Sequence, residues 1–279
     1  MKISISGIRG IFNQDLNLNN IINFSRLFAS FIINNSINSE KKCLVARDTR
    51  PSSDIILRTV SAAIMEKGIE VFDLGVAPTP FVFRESIKYG NAIIVTASHN
   101  PLEWNGLKFV INGRGMFEEE LDSIQQQDAT SSTGFGKSYH INSKYILDIL
   151  EFMRKNRYLD DGRKRTNTVG LDPGGGAISS FIPKLYDSLN QDFLSINDIA
   201  GISSRSPDPT TDDLFELRKL VLSKKLDLGF AFDMDADRLV VVDRNGNKLS
   251  TDLTLLLCIA STLYHGAKKF VVSIDTSNA

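Results

Sequence analysis

Short apolar runs alternate with segments of helical spacing along almost the whole chain, and this alternation limits the fold more than any other feature. Residues 42–46 (KCLVA), 69–74, 91–96 (NAIIVT) and 107–111 read as strands, while 53–67, 79–88 and 118–127 read as helices. Such an order favours an α/β fold with a mostly parallel sheet covered by helices, because parallel neighbours need crossovers long enough to hold a helix. Ligands in these folds bind in loops at the carboxyl ends of the strands. Residues 128–140 (DATSSTGFGKSYH) are small and polar and read as a connecting loop. The pattern then restarts, with helices over 142–155, 176–189 and 212–222 and strands over 168–171, 192–196, 226–232 and 239–243. A helix over 252–264 and a strand over 269–274 follow. The expected organisation is a first α/β domain at 1–140, a second at 141–246, and the incomplete start of a third at 247–279. About thirty residues are below the ~40 needed for an unsupported core, so the chain reads as cut inside that third domain.

Composition narrows the class of function. Of 279 residues, 42% are apolar and 23% charged, the balance of an ordinary globular protein. A net charge of −1 gives no electrostatic case for nucleic acid or an anionic membrane. The N-terminal MKISISGIRG lacks the continuous apolar stretch of a secretion signal, and no run approaches the ~18 apolar residues that span a bilayer. Cys43 and Cys258 lie in unrelated contexts, which argues against a disulfide framework or a zinc site. A cytoplasmic location is expected.

Two constellations carry chemistry. The first is Thr96-Ala97-Ser98-His99-Asn100-Pro101, at the end of the most apolar strand of the first domain. A tight turn favoured by Asn100-Pro101 would expose Ser98 as a nucleophile or phosphate carrier, although the six residues alone could also be only a turn. They are not the G-x-S-x-G elbow of α/β-hydrolases. The second constellation is Asp233-Met234-Asp235-Ala236-Asp237-Arg238, directly after another apolar strand. Like charges ~4 Å apart repel by about 1 kcal/mol in water and about 4 near a protein surface, so the cluster calls for a cation unless it is only a solvated acidic turn. Hard oxygen ligands suit Mg²⁺ or Ca²⁺ better than zinc, and convergence of three carboxylates on one ion is easier from a curled loop than from a straight strand. An EF-hand is excluded by Arg238 and Arg244, which stand where its glycine and glutamate belong.

A phosphate on Ser98 would add hard oxygens to the shell that three carboxylates leave open. Read together, TASHNP, the following Glu103-Trp104-Asn105-Gly106-Leu107-Lys108, and DMDADR resemble the active-site and magnesium loops of the α-D-phosphohexomutase superfamily. Gly7-Ile8-Arg9-Gly10, and Arg47-Asp48-Thr49-Arg50 with Ser52-Ser53, stand in that family's order, so the resemblance covers nearly the whole chain.

The resemblance implies consecutive mixed, mostly parallel α/β sandwich domains. It implies that Ser98 is a phosphoserine and that Asp233, Asp235 and Asp237 hold Mg²⁺ together with its phosphate. Arg238 would steady the phosphoserine or the sugar phosphate. His99 and Lys108 would serve proton transfer and charge, and Arg9, Arg47, Asn100 and Lys108 would contact the substrate. The implied reaction interconverts hexose 1-phosphate and 6-phosphate through a hexose 1,6-bisphosphate, with glucosamine, mannose or glucose phosphate as the sugar. Asp172-Pro173-Gly174-Gly175-Gly176 lacks the Lys-Ser/Thr of a P-loop and resembles a structural strand-to-helix turn of that family. Ser206-Pro207-Asp208-Pro209-Thr210 stands where relatives commonly carry a Pro-Glu-Pro turn. The family's sugar-recognition loop and distal phosphate site have no counterpart in these residues. Two alternatives remain open at this point. One is a haloacid-dehalogenase-type phosphatase with Asp233 as nucleophile and Asp235 as acid. The other is a chain that binds metal and phosphosugar without turnover.

Overall fold

The computed structural model describes residues 1–35, 41–130, 134–155 and 167–272. They form two compact units. The first comprises Met1–Tyr145 with the short segments Gly176–Ile178 and Met234–Asp237, and the second comprises Ile146–Gly175, Ser179–Asp233 and the residues from Arg238 onward.

In the first unit the chain runs through β1 (Lys2–Ser4), β2 (Gly7–Ile11), α1 (Leu18–Asn35), β3 (Lys42–Arg47), α2 (Ser53–Glu66), β4 (Glu70–Val76), α3 (Thr79–Ser86), β5 (Asn91–Val95), β6 (Trp104–Ile111), β7 (Arg114–Gly115), α4 (Glu118–Gln125) and β8 (Ser138–His140). The strands form one eight-stranded sheet in the order β1-β2-β6-β5-β3-β4-β8, with β7 paired to β6. Strands β5, β3, β4 and β8 are mutually parallel, whereas β1, β2, β6 and β7 pair antiparallel. The sheet is therefore mixed. The short link from β5 to β6, residues 96–103, cannot hold a crossover helix, so the chain must reverse there.

Apolar residues cover both faces of the sheet. Ile93 and Val95 of β5 join Cys43, Val45, Leu107 and Phe109 in the larger core, while Ala92 and Ile94 join Leu44, Ala46 and Val110 on the opposite face. Successive strand residues point to opposite faces, so a strand buried on both sides has to be apolar throughout. Helix α2 buries Ile56, Leu57, Val60, Ala63 and Ile64, a stripe at helical spacing. It ends where Gly68 takes a left-handed φ of 79° and its N–H bonds to the Met65 carbonyl. Five elements of the first unit fall outside the sequence expectations: β1, β2, α1, β7 and β8. Helix α1, whose Ile21, Phe28 and Ile32 lie in the larger core, was not anticipated. Strand β8 lies within the segment read as a loop and pairs parallel to β4.

The second unit takes α5 (Tyr145–Lys155, whose first residue belongs to the first unit), β9 (Val169–Asp172), α6 (Ile182–Ser188), β10 (Phe193–Ser195), α7 (Phe215–Lys224), β11 (Leu228–Phe232), β12 (Leu239–Asp243) and α8 (Thr251–Tyr264). Its sheet has the order β10-β9-β11-β12, parallel except for the β11–β12 pair. Leu217 and Val221 of α7 lie one helical turn apart and pack with Ala231, Val240 and Val242. Helix α6 starts at Ile182 rather than 176, because Gly174 and Gly175 take left-handed φ values of 58° and 65° and hold the chain in a turn. Helix α8 is capped by the Ser250 hydroxyl and buries only Thr254. Residues 269–272 form no strand; 273–274 of the expected strand, with the rest to 279, lie outside the described residues. Among the described residues no helix is long and apolar enough to cross a membrane.

Candidate functional site

The serine loop leaves β5 at its carboxyl end. Ser98 is almost fully buried and takes a left-handed φ of 52°. That conformation costs a non-glycine residue about 1–3 kcal/mol and persists only where the surroundings impose it. The Ser98 N–H donates to Thr96 Oγ1 at 2.8 Å, and the Asn100 N–H donates to the Ala97 carbonyl at 3.1 Å. His99 Nδ1 stands 3.2 Å from Ser98 Oγ, within hydrogen-bond reach in either direction according to tautomer. Arg9 arrives from β2 and donates to Asn100 Oδ1 at 3.2 Å and to the Ala97 carbonyl at 3.4 Å. Arg9 pairs with Gly106 across the sheet, and a Cβ at Gly106 would sit 2.0 Å from the Ile8 carbonyl oxygen. Glycine is what allows β2 to approach β6 and carry Arg9 to the loop.

Beneath the loop lies a buried ion pair that the sequence reading quoted as a motif without giving it a task. Arg50 Nε is 3.0 Å from Asp48 Oδ2, and both side chains are fully buried. Arg50 Nη2 donates to the carbonyls of Ser98 and Asn100, and Nη1 donates to those of Pro101 and Trp104. Asp48 Oδ2 also accepts from Thr96 Oγ1 at 2.8 Å, and its Oδ1 accepts from the Arg50 N–H and from Ser53 Oγ. Burial pushes the Asp48 carboxyl up from its ordinary range, opposed by the Arg50 charge and the Ser53 and Thr96 hydroxyls. Asn105 donates to the hydroxyls of Ser52 and Ser53 and ties the start of α2 to β6. Arg47 donates to the Asp48 carbonyl at 3.1 Å and stands 3.6 Å from Asp54 in the first turn of α2.

The same unit contains Lys108, Asp235 and Asp237. Lys108 of β6 places its ammonium 3.2 Å from Asp235 Oδ2 and 2.8 Å from Asp237 Oδ2. Burial draws its pKa down, but Asp235 and then Asp237 more than offset this, leaving it above the ordinary lysine value and charged. Thr79, at the start of α3, donates its hydroxyl to Asp235 Oδ2 at 2.6 Å and its N–H to the Asp235 carbonyl at 2.8 Å.

The acidic loop itself is curled. Ala236 takes a left-handed φ of 56°, and Asp233 Oδ1 accepts the Arg238 N–H at 3.0 Å across the turn. Asp233, Asp235 and Asp237 each offer one oxygen, and the three oxygens lie within 4.8 Å of one another. Opposite ligands of a Mg²⁺ ion, each at ~2.1 Å, stand about 4.2 Å apart. An all-carboxylate donor set at this spacing fits the chemistry of a hard divalent cation.

In the second unit Arg238 pairs with Asp208 at 3.0 Å, so the turn at 206–210 holds the arginine that follows the acidic loop. A second buried pair stands at the ends of β9 and β11. Arg205 Nε is 2.8 Å from Asp172 Oδ2, and Nη2 donates to the Phe232 carbonyl at 2.6 Å, one residue before Asp233. Arg50, Thr79 and Arg205 all escaped the sequence reading as site residues. The available signal for the first was the RDTR run, in which three charges, Arg47, Asp48 and Arg50, close an apolar run.

The fold and site define a protein of two mixed α/β units, the first carrying a strained serine at the carboxyl end of a strand, where ligands of such folds bind. The family profile for phosphoglucomutase/phosphomannomutase α/β/α domain I matches residues 1–133, and the profile for domain II matches residues 143–246. The chain belongs to the phosphoglucomutase/phosphomannomutase family of α-D-phosphohexomutases. It is 33% identical over 265 residues to the phosphoglucosamine mutase of Clostridium beijerinckii, covering 90% of this chain and 57% of that protein. It is 30% identical over 293 residues to the phosphoglucosamine/phosphogalactosamine mutase of Sulfurisphaera tokodaii, covering 98% of this chain and 62% of that protein. A crystal structure of a phosphoglucomutase/phosphomannomutase family protein from Burkholderia thailandensis shares the fold. It has a TM-score of 0.80 and 24% identity, over 94% of this chain and 60% of that one. The chain thus spans about three fifths of the length of the relatives it matches.

Proposed function

We propose that this chain carries the phosphoryl-transfer machinery of a hexose-phosphate mutase, with Ser98 as the phosphate carrier. The whole protein would interconvert hexose 1-phosphate and hexose 6-phosphate through a hexose 1,6-bisphosphate. The relatives named phosphoglucosamine mutase favour glucosamine phosphate as the sugar. We read 1–140 as the domain that presents the serine, 141–246 as the domain that supplies the acidic loop, and 247 onward as the opening of a third.

The observation that carries this reading is the presence of Ser98, Lys108, Asp235 and Asp237 in one compact unit, with Lys108 bridging the two aspartates. Charging the enzyme forms a P–O bond to Ser98 Oγ and breaks the bond from phosphorus to the sugar oxygen. The serine proton ends on that sugar oxygen. His99 Nδ1, 3.2 Å from Oγ, is placed to hold the proton in passing. Lys108 and Arg9 supply positive charge beside the transferring group, and Asn100, held by Arg9, offers a polar contact to substrate. Arg47 and Arg238 are read as further phosphate or sugar contacts. Asp233, Asp235 and Asp237, with the phosphate of Ser98, would hold Mg²⁺, which neutralises charge on phosphoryl oxygens when bound.

The test is chemical. After incubation with glucose 1,6-bisphosphate, peptide mass spectrometry should place one phosphate on Ser98, stable to neutral hydroxylamine, and Ser98→Ala should take none. Hydroxylamine-labile phosphate on Asp233 would overturn the reading in favour of an aspartyl-phosphate phosphatase.

A further inference from the structure

We propose that Arg50, held by Asp48, is a positioning residue for phosphoryl transfer. It sets the left-handed backbone of Ser98, and so the direction of its Oγ, without touching substrate. The inference rests on Ser98 being the phosphate carrier.

A guanidinium has five N–H donors in a rigid planar fork. All five are used here: one on Asp48, two on the Ser98 and Asn100 carbonyls, two on the Pro101 and Trp104 carbonyls. Three carbonyls of the serine loop and that of Trp104, at the start of β6, thus point inward at a side chain with 2% exposure, where no water could replace it. A planar fork fixes the spacing of those carbonyls. An ammonium, with three donors radiating from one atom, cannot reproduce it.

Ser98 itself is bracketed on both sides. The peptide group before it is fixed through its N–H, which donates to Thr96 Oγ1, and that hydroxyl donates onward to Asp48 Oδ2. The peptide group after it is fixed through its carbonyl, which accepts from Arg50 Nη2. Asp48 Oδ2 also takes Arg50 Nε. One carboxylate oxygen therefore anchors both peptide planes that define φ and ψ of Ser98. The left-handed φ of 52° is what this bracket imposes on a residue that would otherwise avoid it. An arginine serving only as a strut for the fold would need no such convergence on the two peptide groups of the reactive serine.

The experiment follows Ser98 phosphorylation by glucose 1,6-bisphosphate over time in the wild type and in Arg50→Lys. In folded Arg50→Lys the rate constant at saturating bisphosphate should fall by about 100-fold, the cost of misplacing a reacting group by an ångström, with half-saturation within about threefold of wild type. Added guanidinium ion should restore at least about tenfold of the rate to Arg50→Ala. A folded Arg50→Lys whose rate constant stays within about threefold of wild type overturns the proposal. Should Arg50→Lys fail to fold, Thr96→Val decides, because it removes the acceptor of the Ser98 N–H. A fall of about tenfold or more with unchanged half-saturation supports the proposal, and a rate within about threefold overturns it. Absence of phosphate on wild-type Ser98 would instead defeat the carrier reading. In that case a crystal structure of the Arg50 or Thr96 variant still decides the positioning role: Ser98 leaving the left-handed region supports it, and Ser98 remaining there overturns it.

Discussion

The Lys108 ammonium lies 2.8 Å from a carboxylate oxygen of Asp237, so a resident cation already occupies part of the acidic loop that we assign to a metal. Two positive charges a few ångströms apart repel by about 1 kcal/mol in water and about 4 near a protein surface. Replacing Lys108 by methionine should therefore tighten Mg²⁺ binding by about tenfold or more, and Asp235→Asn should weaken it strongly. Calorimetric titration of Mg²⁺ checks both. Equal affinities in wild type and both variants would remove this loop as a metal site.

The pair Asp172–Arg205 is a stability prediction. Both side chains are buried, and the arginine also takes the carbonyls of Asp172 and Phe232. Removing one partner of a buried pair leaves an uncompensated charge and costs about 3–5 kcal/mol. Asp172→Ala and Arg205→Met should each lower the urea-unfolding free energy by that order. A loss below about 1 kcal/mol for Asp172→Ala would mean that solvent reaches the pair in solution.

The two cysteines give a direct check on the first core. Cys43 is buried in the larger cluster, and burial pushes its thiol far above the ordinary range, while Cys258 is exposed on α8. The thiolate is the reactive form, so a disulfide reagent at pH 8 should modify Cys258 quickly and leave Cys43 untouched until denaturant is added. The sign on stability follows. The folded state holds the Cys43 proton more tightly, so this contribution is whole below the ordinary thiol pKa and erodes as pH climbs above it. Two thiols reacting at similar rates in the native protein would contradict the packing around β3.

The apolar run that becomes β5 and the helical stripe of α2 are local patterns, and each was readable because burial on both faces or on one stripe leaves a period in the sequence. The amphipathic α1 was readable by the same rule, since Ile21, Phe28 and Ile32 keep helical spacing, and the sequence reading missed it. The acidic loop and TASHNP were legible for a different reason: each alone also fits a simple turn, but together they stand in one family's motif order. The reversal into β6 was legible in the short link before it, but which strand β6 meets on its other side, β2, was not, because that pairing joins distant segments.

The sequence by itself determined the α/β class, the serine and acidic loops, and family membership, all of which rest on short-range patterns and motif order. Only the tertiary structure decided what holds those loops in shape. Arg50 meets the Ser98 carbonyl across 48 positions, Lys108 meets Asp237 across 129, and Thr79 meets Asp235 across 156. A hydrogen bond depends on distance and angle between two groups, and no local pattern records which distant segment folding will bring to the other end of it.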